Sequence, residues 1–282
     1  MTASTATSGT IYVVATPIGN LEDISQRAIK TLNAVDSIFA EDTRHTKKLL
    51  TALGIQKTLH ALHAFNENEK SKVIIERLLQ GESIALVSDA GTPLISDPGY
   101  PLIKLAHENN IKVSPIPGNC ALIAALSVAG LPTDVFTFAG FLPAKQQARI
   151  HQLEQLSKLG HTLVIYESTH RIKNCIEDII LVFGETSSLV LAKELTKSFE
   201  TIKQDSAQNI SDWLAEDMSR YKGEFVLVIA PKEKDESQNN ATELLKALLE
   251  ELPLKQAVKI ATKVSGSNKN ELYQYALELK NK

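Results

Sequence analysis

Two copies of Ser-Asp-x-Gly, Ser88 to Gly91 and Ser96 to Gly99, stand in one stretch, VSDAGTPLISDPG, between an apolar run and a helical pattern. A turn alone needs far fewer glycines, prolines and carboxylates. Small residues let backbone groups approach a ligand, prolines hold the loop's shape, and a carboxylate accepts hydrogen bonds from hydroxyls or amines. Five further segments put small or charged residues just past a strand pattern: ATPIGN, AEDTR, PIPGNCA, YESTHR and AKELTKS. Turn geometry explains any one of them. Six together favour a ligand cleft between two sheets.

Other chemistries fall away. No G-x-G-x-x-G and no G-x-x-x-x-G-K-[ST] occurs, so neither the standard dinucleotide loop nor the P-loop is expected. His60 and His63 point to opposite faces on an alternating strand pattern, and no metal site is expected. His45 and His170 lie beside candidate loops. Cys175 reads as core, whereas Cys120 opens a helix after Pro-Gly, where a backbone N–H is free for a ligand.

The elements that must position these loops alternate. Strand patterns TIYVVA, SIFAED, TLHALH, SIALVSD and KVSPIP are separated by helices, the first opened by Asp23 with Gln26 in capping-box spacing and the second running from Arg44 to Leu53. This order predicts a mostly parallel sheet with helices on its faces. A second set, from VFTFAGF to EFVLVIA, predicts another α/β domain of similar size. Pro231 to Asn240 reads as a polar linker. Three short helices follow, Thr242–Leu252, Leu254–Val264 and Asn268–Leu279, broken at Pro253 and Gly266.

A chain of 282 residues with 43% hydrophobic residues allows about two domains with sizeable cores. Its formal net charge of −3 announces no nucleic-acid partner, so any basic surface must be local. Two cysteines without CxxC spacing fit a reduced compartment. The opening MTASTATSGT has no basic or apolar region of a secretory signal. The longest strongly apolar segment, residues 121–131, falls well short of the ~20 residues that span a bilayer. A cytoplasmic protein with no membrane association is expected.

The ordered segments VVATPIGNLEDIS, AEDTRHT, VSDAGTPLISDPGYPLI, PIPGNCALIAALSVAGLPTD, VIYESTHRI, LAKELTK and KGEFVLVI resemble the tetrapyrrole-methylase superfamily, from Ile11 to Ala230. Within it the chain is similar to the branch that methylates the ribose 2′-hydroxyl of a cytidine in 16S rRNA of the small ribosomal subunit. The resemblance implies α/β domains at residues 1–118 and 119–232 with S-adenosylmethionine in the cleft between them. It also implies a small helix-turn-helix-like domain at 241–282, a homodimer, and rRNA with no DNA as partner.

By the same matching, Pro17 is similar to the first-loop proline beside the methyl group. Asp89, Ala90, Gly91 and Thr92 form the cofactor loop, and Ile95 is an apolar cofactor contact. Cys120 and Ala121 resemble the pair that lies against the adenosine, and Tyr166 the residue ending a cofactor-facing strand. Tetrapyrrole-modifying members carry Gly-Gly-Asp-Pro where this chain has Ala90-Gly91-Thr92-Pro93. That departure argues against a porphyrinoid substrate, and leaves Asp89 and Thr92 as alternative polar contacts to the cofactor.

A sulfonium methyl is already activated, so transfer needs positioning and a way to remove the acceptor's proton. Lys193, Glu194, Glu167 and Arg44 are the nearest catalytic candidates, with structural ion pairing as their competing role. Strand alternation lets at most one of Lys193 and Glu194 face the acceptor. Two other readings use the same residues: a methyltransferase for a tetrapyrrole, small-molecule or protein acceptor, and a non-catalytic ribosome-binding factor.

The tail has its own charge pattern. From Leu254 onward, Lys255, Lys259, Lys263, Lys269, Lys280 and Lys282 face only Glu271 and Glu278, after an acid-rich stretch from Glu233 to Leu252. Lys255, Lys259 and Lys263 repeat every fourth residue and form one stripe, for RNA or for solvent.

Overall fold

The computed structural model describes residues 8–232 and 236–280. Its first sheet is built from β1 (Thr10–Val14), α1 (Gln26–Ala34), β2 (Ser37–Ala40), α2 (Thr43–Ala52), β3 (Thr58–Ala61), α3 (Glu67–Leu79), β4 (Ile84–Val87), α4 (Tyr100–Glu108) and β5 (Lys112–Ile116). The strand order is β3-β2-β4-β1-β5 and every pairing is parallel. β2 (SIFA) and β4 (IALV) are buried throughout, as strands covered on both faces must be. Leu32, Ile38 and Leu50 belong to the core on one face, and Ile74, Leu78 and Leu102 to the core on the other.

The first helix starts later than the sequence suggests. Leu21–Asp23 is a short 3-10 turn, and Ser25 caps α1 by accepting from the Ala28 N–H at 3.1 Å. Ser25 and Asp23 both satisfy capping chemistry; the 3-10 turn displaces the start. Asp42 caps α2 and accepts from the Arg44 N–H at 2.8 Å.

The chain then forms α5 (Ala121–Val128), β6 (Phe136–Phe141), α6 (Gln146–Ser157), β7 (Thr162–Ser168), α7 (Ile172–Phe183), β8 (Ser188–Lys193), β9 (Thr201–Ser206), α8 (Ala207–Ala215) and β10 (Glu224–Ile229). This sheet is mixed, in the order β6-β7-β10-β8-β9, with β10 antiparallel to both β7 and β8. Its two faces differ. Ile165, Leu191, Phe225 and Leu227 pack with Ile176, Ile179 and Leu214 of α7 and α8. Val164, Val190, Ala192 and Val226 pack with Leu122 and Leu126 of α5 and with Ile18.

Both sheets fall in one compact unit that ends at Ala230. A second unit holds α9 (Glu236–Glu251), α10 (Leu254–Ser265) and α11 (Lys269–Lys280), around Leu245, Ala257, Ala261, Leu272 and Ala276. The expected linker at 231–240 is therefore too long, because α9 already starts at Glu236. Gly266 ends α10 in the left-handed conformation at φ 69°, where a side chain would be strained. Asn268 accepts from the Asn270 N–H at 2.9 Å at the start of α11. Lys255, Lys259 and Lys263 are all exposed along α10. Glu233, Lys234 and Lys282 of the charge pattern lie outside the described residues. Among those described, no helix is long and apolar enough to cross a membrane.

Candidate functional site

A cleft of about 350 Å³ opens where the loops after β4 and β5 meet the α5-covered face of the second sheet. Ile18 and residues 89–92 and 95–97 line it from the first half; Cys120, Ala121, Phe141, Tyr166, Ala192 and Val226 line it from the second. This volume suits one small ligand.

The loop after β4 is tied to the loop after β1. Thr16 and Gly91 exchange backbone hydrogen bonds of 2.8 and 3.1 Å, and the Thr16 hydroxyl reaches the Ser88 carbonyl at 3.3 Å. Gly91 holds φ 83°, and a Cβ there would sit 3.3 Å from Ile18 Cγ2. Leu94 and Ser96 also take φ 72°, a costly conformation for residues with side chains. The sequence expectation of a loop shaped for close approach fits this backbone.

The two alternative polar contacts are differently committed. The Thr92 hydroxyl donates to the Asn119 carbonyl at 2.8 Å, which joins the β4 loop to the β5 loop. Asp89 Oδ1 accepts from the Asp42 N–H at 3.0 Å, and its Oδ2 lies 4.0 Å from His45 Nδ1. Asp89 thus keeps a carboxylate oxygen at the cleft, whereas the Thr92 proton is spent on the protein.

Tyr166 closes the other side. Its hydroxyl accepts from the Leu122 N–H at 3.1 Å, in the first turn of α5, which Cys120 opens without a side-chain cap. Its ring meets Phe138 and Phe141 edge-on, at centroid distances of 4.9 and 5.7 Å. Burial, with the neighbouring Cys120, pushes the Tyr166 hydroxyl well above its ordinary range, so it stays neutral.

Ala90, Gly91, Thr92, Asp89, Ile95, Cys120, Ala121 and Tyr166 are therefore brought together, and Pro17 is not. The next residue, Ile18, lines the cleft in its place.

The four catalytic candidates sit elsewhere or are engaged. Glu167 pairs across the sheet with Phe225 and shares its face, opposite Tyr166. It borders the cleft, but its buried carboxylate lies 3.1 Å from Arg171 Nε and beside the Cys175 thiol. Lys193 also pairs with Phe225, and its ammonium donates to the Ser219 carbonyl at 3.2 Å. Glu194, at φ 51°, accepts from the Glu224 N–H at 2.8 Å and from Lys197 at 3.0 Å. Burial raises its carboxyl, but those two donors outweigh it and leave it below the usual range. Arg44 is paired with Asp42 at 2.6 Å, and its side chain is 88% exposed outside the cleft.

One group was missed. Asp97, in the second Ser-Asp-x-Gly copy, lines the cleft, and burial with the nearby carboxylates of Glu41 and Asp89 pushes it up to about 6, against a partial offset from Ser88. Glu41 is raised too, by burial and by Asp89. Desolvation near like charge is the usual way a carboxyl becomes a proton acceptor near neutral pH. The repeat itself was the signal. Among the described residues no cluster of three or more His, Cys, Asp or Glu is placed to hold a metal.

Comparison with known proteins places this geometry. The model for Tetrapyrrole (Corrin/Porphyrin) Methylases matches residues 10–211, and that for the RsmI C-terminal HTH domain matches residues 235–280. The chain is 50% identical over 274 residues to Ribosomal RNA small subunit methyltransferase I of Haemophilus influenzae, covering 96% of this chain and 97% of that one. Among solved structures it resembles a diphthine synthase, at a TM-score of 0.61 and 18% identity over 79% of this chain and 90% of that one. It also resembles uroporphyrin-III C-methyltransferase from Thermus thermophilus complexed with S-adenosyl homocysteine, at a TM-score of 0.55 and 13% identity over 79% and 97%.

Proposed function

We propose, because the chain belongs to the tetrapyrrole (corrin/porphyrin) methylase family, that it transfers a methyl group from S-adenosylmethionine to small-subunit rRNA. The acceptor is the 2′-hydroxyl of a cytidine ribose. The reading treats residues 1–118 and 119–232 as the two halves of the cofactor site and 241–282 as a helical domain. The observation that carries it is the cleft, in which the left-handed Gly91 lets backbone approach a ligand while Asp89 and Asp97 stand ready for polar groups. A 50%-identical relative bearing the rRNA methyltransferase name supports the acceptor.

The residues present fit S-adenosylmethionine. The apolar wall of Ile18, Ile95, Ala121 and Val226 suits an adenosine, and Asp89 Oδ2 can accept from a ribose hydroxyl or an amine. When bound, the cofactor would supply a methyl carbon activated by its sulfonium, with a neutral thioether as the leaving group. Asp97, ionised above about 6, takes the proton of the acceptor hydroxyl. Tyr166 holds α5 in register through the Leu122 N–H. The exposed stripe Lys255, Lys259 and Lys263 is a phosphate contact for the rRNA. We further read the protein as a cytoplasmic homodimer acting on the small ribosomal subunit.

Labelled S-adenosylmethionine offered with small subunits, total tRNA or porphyrinoid precursors tests this reading. Label should appear only in the subunits, as 2′-O-methylcytidine. Label in another acceptor, or in none, would overturn it.

A further inference from the structure

Phe141 ends β6, lines the cleft and is nonetheless 56% exposed, so one side of its ring is open to solvent. Its ring is held edge-on to Tyr166, at 5.7 Å and 67°. The residue before it, Gly140, takes φ 60°, and a Cβ there would sit 3.0 Å from Ser96 Oγ in the β4 loop.

The three residues after Phe141 are fixed from behind by two guanidinium groups. Arg149, itself buried, donates to the Pro143 and Ala144 carbonyls at 3.3 and 3.2 Å and pairs with buried Asp178 at 2.6 Å. Gln146 adds a bond to the same carboxylate at 2.9 Å. Arg171 donates to the Leu142 carbonyl and pairs with buried Glu167. Buried charges are expensive unless each is paired, so this network is a large outlay for one short loop. Its consequence is a rigid backbone beneath an exposed aromatic ring.

The cleft itself holds about 350 Å³, near the low end for ligand clefts and enough for one nucleoside-sized molecule. A cofactor and an acceptor nucleotide cannot both be enclosed there, so the acceptor base must rest at the mouth. Sequence-specific RNA recognition targets single-stranded loops, bulges and ends, whose unstacked bases can be splayed out and stack on aromatic rings. Resting on the rRNA reading above, we propose that Phe141 is the stacking platform for the acceptor's base, held in place by the Arg149–Asp178 and Arg171–Glu167 pairs. Glu167, a candidate proton acceptor by sequence, is then a positioning residue on the far side of the sheet.

The test uses the full chain and unmethylated small subunits. Base–aromatic stacking is worth about 1–3 kcal/mol per base, so Phe141→Ala should raise KM for the subunit and weaken its binding roughly 5- to 150-fold. Phe141→Trp should restore both, and Phe141→Leu should not. Binding is read by co-sedimentation with S-adenosylhomocysteine present, and cofactor affinity by calorimetry, which should stay within about twofold of wild type. Loss of cofactor affinity in Phe141→Ala would make the ring a cofactor wall and overturn the proposal. So would a change in oligomeric state, or rescue by leucine as good as by tryptophan. A wild-type protein that methylates no subunit would defeat the rRNA reading itself. Wild-type transfer with unaltered KM in Phe141→Ala would defeat only this inference.

Discussion

The carboxyl groups of the two sheets keep different company. On the far face of the second sheet the buried ones are matched: Asp178 with Arg149 at 2.6 Å and Glu167 with Arg171 at 3.1 Å, while Glu194 at the end of β8 holds Lys197 at 3.0 Å. On the loops of the first sheet, Asp97 and Glu41 have no Lys or Arg at ion-pair distance among the described residues, and both are raised by burial and by other carboxylates. A matched carboxyl is tied into the scaffold by its cation. An unmatched one stays ready to change its proton. Strand-end position alone does not separate these two kinds; the face and the partner do.

The largest effect should come from breaking the unmatched side. Asp97→Asn removes the proton acceptor and should lower kcat by 10²- to 10⁴-fold, about 3–5 kcal/mol of barrier, with cofactor affinity kept. Single-turnover transfer to small subunits measures it. Breaking the matched side should instead destabilise the fold: Arg149→Ala leaves Asp178 buried without its cation, at a cost of about 3–5 kcal/mol in a urea titration.

Much of the fold was legible because the signals are local. Strands followed by helices, with loops rich in Gly, Pro and Asp, predicted the parallel sheet, and the small-residue loops located the cleft. What was not legible is non-local. β7 and β8 are buried on both faces, TLVIYES and SLVLAK, so no alternation shows that Tyr166 faces the cleft while Glu167 and Lys193 face away. That β10 inserts antiparallel between them depends on residues thirty or more positions distant, outside any pattern. Asp97 lay in full view within the repeated motif, but its burial beside Glu41 could not be read from the chain.

A smaller effect probes the loop shared by both readings. Ala90→Leu puts a bulky side chain into the cleft lining and should weaken S-adenosylmethionine binding about 10- to 100-fold by overpacking, with melting temperature unchanged. Calorimetric titration decides it, and unaltered affinity would remove Ala90 from the site. The smallest effect is expected at Lys193, whose ammonium is engaged with the Ser219 carbonyl on the far face. Lys193→Ala should keep kcat within about twofold of wild type, since it touches no ligand. A loss of hundreds-fold in steady-state transfer would restore it as a catalytic candidate and break the contrast between the faces.

The central claim, that the unmatched carboxyl of Asp97 runs the proton transfer, is tested most directly by the pH dependence of single-turnover methyl transfer. A carboxyl raised to about 6 is ionised, and able to accept a proton, only above that pH. Wild-type protein should therefore show a rate that is level above about 6 and falls roughly tenfold per pH unit below it, a limb that Asp97→Asn lacks at its much lower rate. If Asp97→Asn instead transfers at the wild-type rate and keeps the same limb, the proton goes elsewhere and Asp97 is not the base.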